Sequence, residues 1–444
     1  MIQQINDNLD SLHISTSVSN VSNEEWRVLI DHVKNAQLPI LNIGEDRPYT
    51  HDDFKETLQN RVEKFEFIEK QLKFNVVLKF DDKIISKNLI APLVVLCGEN
   101  IKSTEWTNAN LIEISYKILS HLKNKTFKND SIANIFVNHP DLLKYCLTEV
   151  QQKLGKNSWK RYPGAQCSFA YILRQVSSPH MSQYLQEFLP FALRFLDDWE
   201  IKNKIFAVEC LDHIIEHTDP KELSKFGHTE VLKSVLFHTL SFRDVELISA
   251  TLPCLYKFLE KCFGSKKSFE DYAKFNTWDE LTQKFLYKMQ TETQLELKQL
   301  YIIQLKVLLK NLNLGVVRWL TTLLQVISSY TELIDVECRR GALENLLLIL
   351  DLCKDRVKFH TDDIYEPLIR LLYELSQRVE ADDESQKTFN LASEALLKSA
   401  LYSPTEFRLN FDSVEFVAVN ETFDRVIHNI LLRLKEEEEE KGYK

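Results

Sequence analysis

Residues 188–218 read FLPFALRFLDDWEIKNKIFAVECLDHIIEHT, two amphipathic runs parted by a short polar break. Leu189, Leu193 and Leu196 follow helical spacing, and the first run stops at Asp197-Asp198, whose short side chains favour caps over helix interiors. In the second run Ile201, Ile205, Val208, Leu211 and Ile215 form a broad apolar stripe, while Lys202, Glu209, Asp212 and Glu216 fall on the other side. The two aspartates sit where the second helix has unpaired N–H groups and the positive end of its macrodipole, so each is expected to cap it, worth about 1 kcal/mol. The segment reads as a helix hairpin.

The same grammar extends in both directions. Leu111, Ile114, Ile118 and Leu119, and then Leu343, Leu346, Leu347 and Leu350, repeat the helical offsets. Leu348, Ile349 and Leu352 put apolar groups on further faces of that second helix, which must therefore be covered on several sides, as in an inner layer of stacked hairpins. Helix starts are punctuated by a capping box at Ser22-Asn23-Glu24-Glu25. Cap-then-proline pairs at Ser178-Pro179, Asp219-Pro220 and Ser403-Pro404 mark others. Helix-sized segments recur from 200 to 380 at a spacing compatible with the ~40 to 47 residues of HEAT-type repeats. The expected fold is all-α, with irregular HEAT-like helical repeats forming an α-α superhelix (α-solenoid). Five regions are expected: a flexible arm over 1–21, a helical region over 22–176, a solenoid core over 177–380, C-terminal helices over 381–435 and an acidic tail over 436–444. Gly264 to Asn276 and Val379 to Glu384 read as internal breaks.

Composition narrows the function. Only 9 of 444 residues are glycine, against an average near 7 per cent, which argues against Gly-rich phosphate loops and many tight strand turns. With 55 Lys and Arg against 65 Asp and Glu, the net charge of −10 does not supply the basic field of a nucleic-acid binder. The Glu436 to Glu440 run reads as a solvated helix end, with docking of a basic partner as the alternative. Eight scattered cysteines without a Cys-x-x-Cys pair read as reduced core residues. Residues 1–7 lack the pattern of a signal peptide, and the longest apolar run, Leu89 to Cys97, is short of the ~18 residues of a membrane span. A soluble cytoplasmic and nuclear protein is expected.

One catalytic motif is spelled out. His213-Ile214-Ile215-Glu216-His217 matches H-x-x-E-H, in which two histidines one turn apart bind zinc and the glutamate activates water. The histidines lie in the row of Phe206 and Cys210, at the border of the apolar stripe, and no companion motif supplies a third ligand. His213, Glu216 and His217 are therefore read as a decoy, and no metal or cofactor is expected. P-loop, dinucleotide, G-x-S-x-G and H-R-D signatures are absent. Asp362-Asp363 and Asp382-Asp383-Glu384 read as helix-start caps rather than acid–base pairs. Asp197, Asp198, Asn203 and Lys204 cluster at one inter-helix turn, and Arg318 and Trp319 follow a Leu314-Gly315 turn. Each set reads either as a brace between hairpins or as a partner contact, since interfaces favour Arg and Trp as anchors.

Asp197-Asp198, Asn203-Lys204-Ile205, Val208, Cys210-Leu211 and His213-Ile214 stand in an order and spacing that resemble the Tel-two-interacting protein two family. Leu314-Gly315, Arg318, Leu320, Val326-Ile327, Leu343, Leu346 and Arg356-Val357 resemble the same family, so the likeness extends over about residues 179 to 360. The resemblance implies a helical-repeat fold and a non-catalytic scaffold subunit of the TTT co-chaperone complex, joined to Tel-two and the larger Tel-two-interacting protein one. Its implied clients are phosphatidylinositol-3-kinase-related kinases, among them the rapamycin target and the DNA-damage checkpoint kinases. The ninety-kilodalton heat-shock chaperone and the Rvb-containing co-chaperone complex are implied indirectly. No direct nucleic-acid or membrane contact is implied. Two alternatives stay open: a solenoid scaffold for trafficking or nuclear transport, and a zinc hydrolase using the histidine motif.

Overall fold

The computed structural model describes residues 23–41, 47–74, 83–126, 131–156, 158–264, 274–377, 383–411 and 421–442. Every regular element among them is helical, as expected from the scarce glycine and the 3.6-residue patterning. The N-terminal arm, Ser22, and most of the two internal breaks lie outside the described residues. The chain divides into two compact units, Met1–Glu222 and Leu223–Lys444.

In the first unit the helices are α1 (Asn23–Asn35), α2 (Lys55–Phe74), α3 (Ala91–Asn100), α4 (Ala109–Thr126), α5 (Ile132–Asn138), α6 (Pro140–Lys153), α7 (Pro163–Arg174), α8 (Leu185–Leu196) and α9 (Ile201–His217). The apolar run Leu89 to Cys97 enters α3 from a π-helical turn, Ser86–Ile90, and all ten residues of α3 are buried. Helices α4, α6 and α7 surround it, and α8 pairs with α9. Glu99, near the end of α3, accepts from Arg61 of α2 at 3.3 Å and from the Leu38 N–H at 3.1 Å. Arg61 also reaches Asn100 at 2.7 Å and the carbonyls of Ala36 and Trp106. Burial raises the Glu99 carboxyl and lowers the Arg61 guanidinium, each opposed by the charge of the other. Gly164 makes this packing possible, because a Cβ there would fall inside the van der Waals envelope of Glu99 Cγ and Cδ and 2.9 Å from Leu38 Cδ1.

Of the two cap-then-proline pairs in this unit, one takes another role. The Ser178-Pro179 peptide is cis, and Pro179 precedes a 3₁₀ turn, His180–Tyr184, instead of opening an α-helix. Pro220 does open α10 (Pro220–Ser224), with Asp219 Oδ1 accepting from the Lys221 N–H at 2.7 Å.

In the second unit the helices run α11 (His228–Thr239), α12 (Val245–Phe263), α13 (Thr277–Thr291), α14 (Leu295–Leu312), α15 (Leu320–Thr331), α16 (Val336–Leu352), α17 (Thr361–Ser376), α18 (Asp383–Tyr402), α19 (Pro404–Phe411) and α20 (Glu421–Gly442). Successive helices pair as hairpins, α11/α12, α13/α14, α15/α16 and α17/α18. The hairpins stack in two layers, with α13, α15 and α17 in one and α12, α14, α16 and α18 in the other. Their starts at His228, Thr277, Leu320 and Thr361 keep near the HEAT-type spacing. Asp244, Asn276 and Asp335 cap α12, α13 and α16 through their side chains. Asn345 of α16 donates to the Ile302 carbonyl of α14 at 2.8 Å, one turn from Gly341, which faces the same isoleucine. The apolar stretch 295–331 has the length and composition of a membrane span, but a 3₁₀ turn over Asn313–Trp319 breaks it into α14 and α15.

Ser403 precedes Pro404 but does not cap α19. Its hydroxyl donates to the Ser399 carbonyl at 2.7 Å and meets Tyr365. Asp362 and Asp363 lie in the first turn of α17 while His360 holds the cap position, so they complement the helix dipole without capping it. Asp382 lies outside the described residues; Glu384 pairs with Arg340 and Lys387. The Glu436 run continues α20.

Two stability predictions follow from buried carboxylates. Gly164→Ala is expected to lower the denaturant stability of the chain by about 2 kcal/mol, because Glu99 cannot yield without breaking its pair with Arg61. At Glu292, burial alone would raise the carboxyl, but Arg243 and the N–H groups of Gln294 and Thr293 together hold it below its ordinary 4.5. The unfolded chain then takes up the proton first, so this contribution is full above pH 4.5 and is lost as pH falls through the depressed folded value. A Glu292→Gln variant should show a flatter acid limb in a melting-temperature series from neutral pH downward.

Candidate partner-binding site

The turn between α8 and α9 places Asp198 differently from a cap. Glu200 holds the N-cap position of α9 and makes no side-chain capping bond, while Asp197 closes the C-terminal end of α8. The two aspartates therefore correct the capping expectation, because the turn from Asp197 to Trp199 carries the chain past them before α9 begins. Asp198 has a side chain only 4% exposed. It accepts from Lys160 Nζ at 2.7 Å, from the Trp199 N–H at 2.7 Å and from Asn203 Nδ2 at 2.5 Å. Asn203 passes the link on, accepting from Gln166 of α7 at 3.2 Å. Lys204 donates to the Leu196 carbonyl at 2.8 Å, where a cation meets the negative end of α8. Burial lowers the Lys204 ammonium, and Asp197 and Asp198 partly restore it. Asp197 itself is exposed.

Lys160, Trp159, Gln166 and Trp199 belong to this cluster and were not singled out from the sequence. The Lys160 ammonium lies 4.9 Å from the ring of Trp199 and 5.5 Å from that of Trp159. Trp159 packs edge-on against Phe195, which fixes the floor. Trp199 stands 57% exposed at the edge of a cavity of about 130 Å³ that Trp106, Trp159 and Pro163 also line. An exposed indole over a braced, partly aromatic floor is the kind of group that anchors a protein contact.

Arg318 and Trp319 are set in the second unit and converge on one carboxylate there. Asp279, wholly buried, receives Arg318 at 2.6 Å and the Trp319 indole N–H at 3.1 Å. Asp279 also completes a capping box with Asn276, accepting its N–H at 3.0 Å. Arg318 lies 5.8 Å from the ring of Phe275. The two candidate sets thus close on different partners, each within its own unit. Asp279→Ala removes the carboxylate that Arg318 and Trp319 share and half of the capping box, so it should cost about 3 kcal/mol in chemical denaturation followed by circular dichroism, with Asp279→Asn intermediate.

The histidine motif is held by the fold. His213 Nε2 meets the Val176 carbonyl at 2.9 Å, His217 Nδ1 lies 3.5 Å from the Ser178 N–H, and the two rings are 4.5 Å apart. Glu216 points to the exposed side. Among the described residues no group of three His, Cys, Asp or Glu side chains has metal-binding geometry.

Comparison with known proteins adds a family to this geometry. The Tti2 family model matches residues 138–332, a span that holds Asp197, Asp198, Asn203, Lys204, Arg318 and Trp319. TELO2-interacting protein 2 of Mus musculus is 28% identical over 313 residues, 68% of this chain and 60% of that protein. The Rattus norvegicus protein of that name matches to the same extent, and the Homo sapiens one is 28% identical over 311 residues, 61% of its length. The chain thus spans about 60% of the length of the curated relatives it matches. Residues 138–332 match the Tti2 family, the family that the residues around Asp197-Asp198 and Leu314-Gly315 resemble.

Proposed function

We propose that the chain is a non-catalytic scaffold subunit of a TTT-type co-chaperone assembly, binding Tel-two and the larger Tel-two-interacting protein one, in the cytoplasm and nucleus. The observation that carries this reading is the Tti2 match over 138–332, whose curated relatives are named for interaction with TELO2. Stacked hairpins suit the role, because such arrays present long continuous surfaces to other chains. Phosphatidylinositol-3-kinase-related kinases are the clients. The assembly acts on them by stoichiometric binding, with the ninety-kilodalton heat-shock chaperone and the Rvb-containing complex reached through the other subunits.

Within this reading Asp198, Asn203 and Lys204 serve as an internal brace, and so do Arg318 and Trp319 through Asp279, leaving the exposed groups around them to meet the partner. The contrast between the two aspartates tests this. Asp198→Lys should lower stability by roughly 3–5 kcal/mol, since it sets a cation beside Lys160, while Asp197→Lys should stay within about 0.5 kcal/mol. Affinity purification of the tagged full chain, with mass spectrometry and a zinc assay on the eluate, is expected to recover the two large partners in stoichiometric amount without zinc. Recovery of a lone zinc-bearing chain would sink the scaffold reading. Unchanged assembly by folded Asp198→Lys protein would confine that residue to bracing.

A further inference from the structure

The turn Lys225–Gly227, which leads into α11, holds two successive residues in the left-handed backbone region, Phe226 at φ 55° and Gly227 at φ 73°. Glycine takes that conformation freely, but for a residue with a Cβ and a bulky side chain it is disfavoured roughly tenfold. The other described residues with positive φ are Asn313 and Gly264, and neither has the ψ of the left-handed helical region that Phe226 and Gly227 occupy. Phe226 gains little burial inside the protein in return. The residue is 80% exposed, and its ring partner is His228 at 6.0 Å. His228 in turn keeps Nε2 buried without a hydrogen bond. One turn therefore combines a strained backbone, an exposed phenyl ring and an unsatisfied ring nitrogen, costs that the free chain carries.

We propose that Phe226 is an anchor held out for an apolar pocket, sized for one phenyl ring, on a partner protein. This rests on the scaffold reading above and adds to it a residue through which a partner is held. Strain confined to a few residues that serve no packing purpose marks sites of recognition, and aromatic side chains dominate binding energy at interfaces. A turn already set in its left-handed form presents the ring without further ordering on binding. The surroundings favour a protein pocket over a lipid surface. Phe226 stands between charges of both signs along the chain, Lys225 and Glu230, in a molecule of net charge −10, whereas lipid insertion draws on a basic field and several apolar side chains together.

The test uses the full chain as wild type, Phe226→Asn and Phe226→Leu, each co-expressed with the two large partners. Asparagine accepts the left-handed turn, so Phe226→Asn should raise the melting temperature by roughly 2–4 °C while weakening partner binding by roughly thirtyfold. Phe226→Leu, still apolar and still strained, should melt with wild type and bind at an intermediate level. A fall in melting temperature for Phe226→Asn would make the ring structural and overturn the anchor. Equal partner binding by wild type and Phe226→Asn would overturn it too while leaving the scaffold intact. Failure of wild type to bind either partner would remove the scaffold reading and the anchor with it. Sedimentation of wild type but not Phe226→Asn with phosphatidylcholine–phosphatidylserine vesicles would assign the ring to a lipid surface and overturn the protein pocket.

Discussion

A carboxylate closed off from water must be met by donors from more than one direction, because an unpaired buried charge costs several kcal/mol. Glu99, Asp198, Asp279 and Glu292 all face this constraint near a helix end, and all draw a cation from elsewhere in their own unit: Arg61, Lys160, Arg318 and Arg243. Each also takes backbone N–H groups close by, of Leu38, Trp199, Asn276, and Thr293 with Gln294. The pairing sets more than local geometry. A helix whose end carries such a group has one rotation and one height at which the donors converge, so these polar points index apolar faces that would otherwise slide.

The all-α character and the hairpin over 188–218 were legible in the sequence, because 3.6-residue patterning and helix punctuation are local signals. The capping box of Asn276 with Asp279 and the caps Asp244 and Asp335 are of the same local kind, although they were not singled out from the sequence. Asp198 was misread because a short polar residue before an apolar run looks like a cap, whereas its role is decided by residues far away in the chain. Gln166 reaches Asn203 across 37 positions and Trp319 reaches Asp279 across 40. No spacing rule connects such pairs. Ser403 fails for the reverse reason: the buried Tyr365 hydroxyl offers it a partner that propensity does not see.

The two histidines of the H-x-x-E-H motif take backbone partners in the fold. Histidine one turn from histidine suits a helix whose border row packs on a polar backbone loop, and the Val176 carbonyl and the Ser178 N–H provide that loop. His213 Nε2 and His217 Nδ1 each face a peptide group. Lys160 and Trp199 carry the opposite lesson. Neither belongs to a recognisable motif, yet their contact joins the brace to the one large indole that the turn leaves in solvent.

Stacked hairpins also settle how damage spreads. In the second unit α15/α16 packs against α13/α14 on one side and α17/α18 on the other. In a linear array of this kind stability is a sum of terms within each hairpin and between neighbours. A lesion in α15/α16 therefore loosens two junctions at once, and the unit is most vulnerable at its middle. Tolerance of inherited change should accordingly be graded by position in the stack: lowest for the central hairpins, highest where a hairpin has a neighbour on one side only.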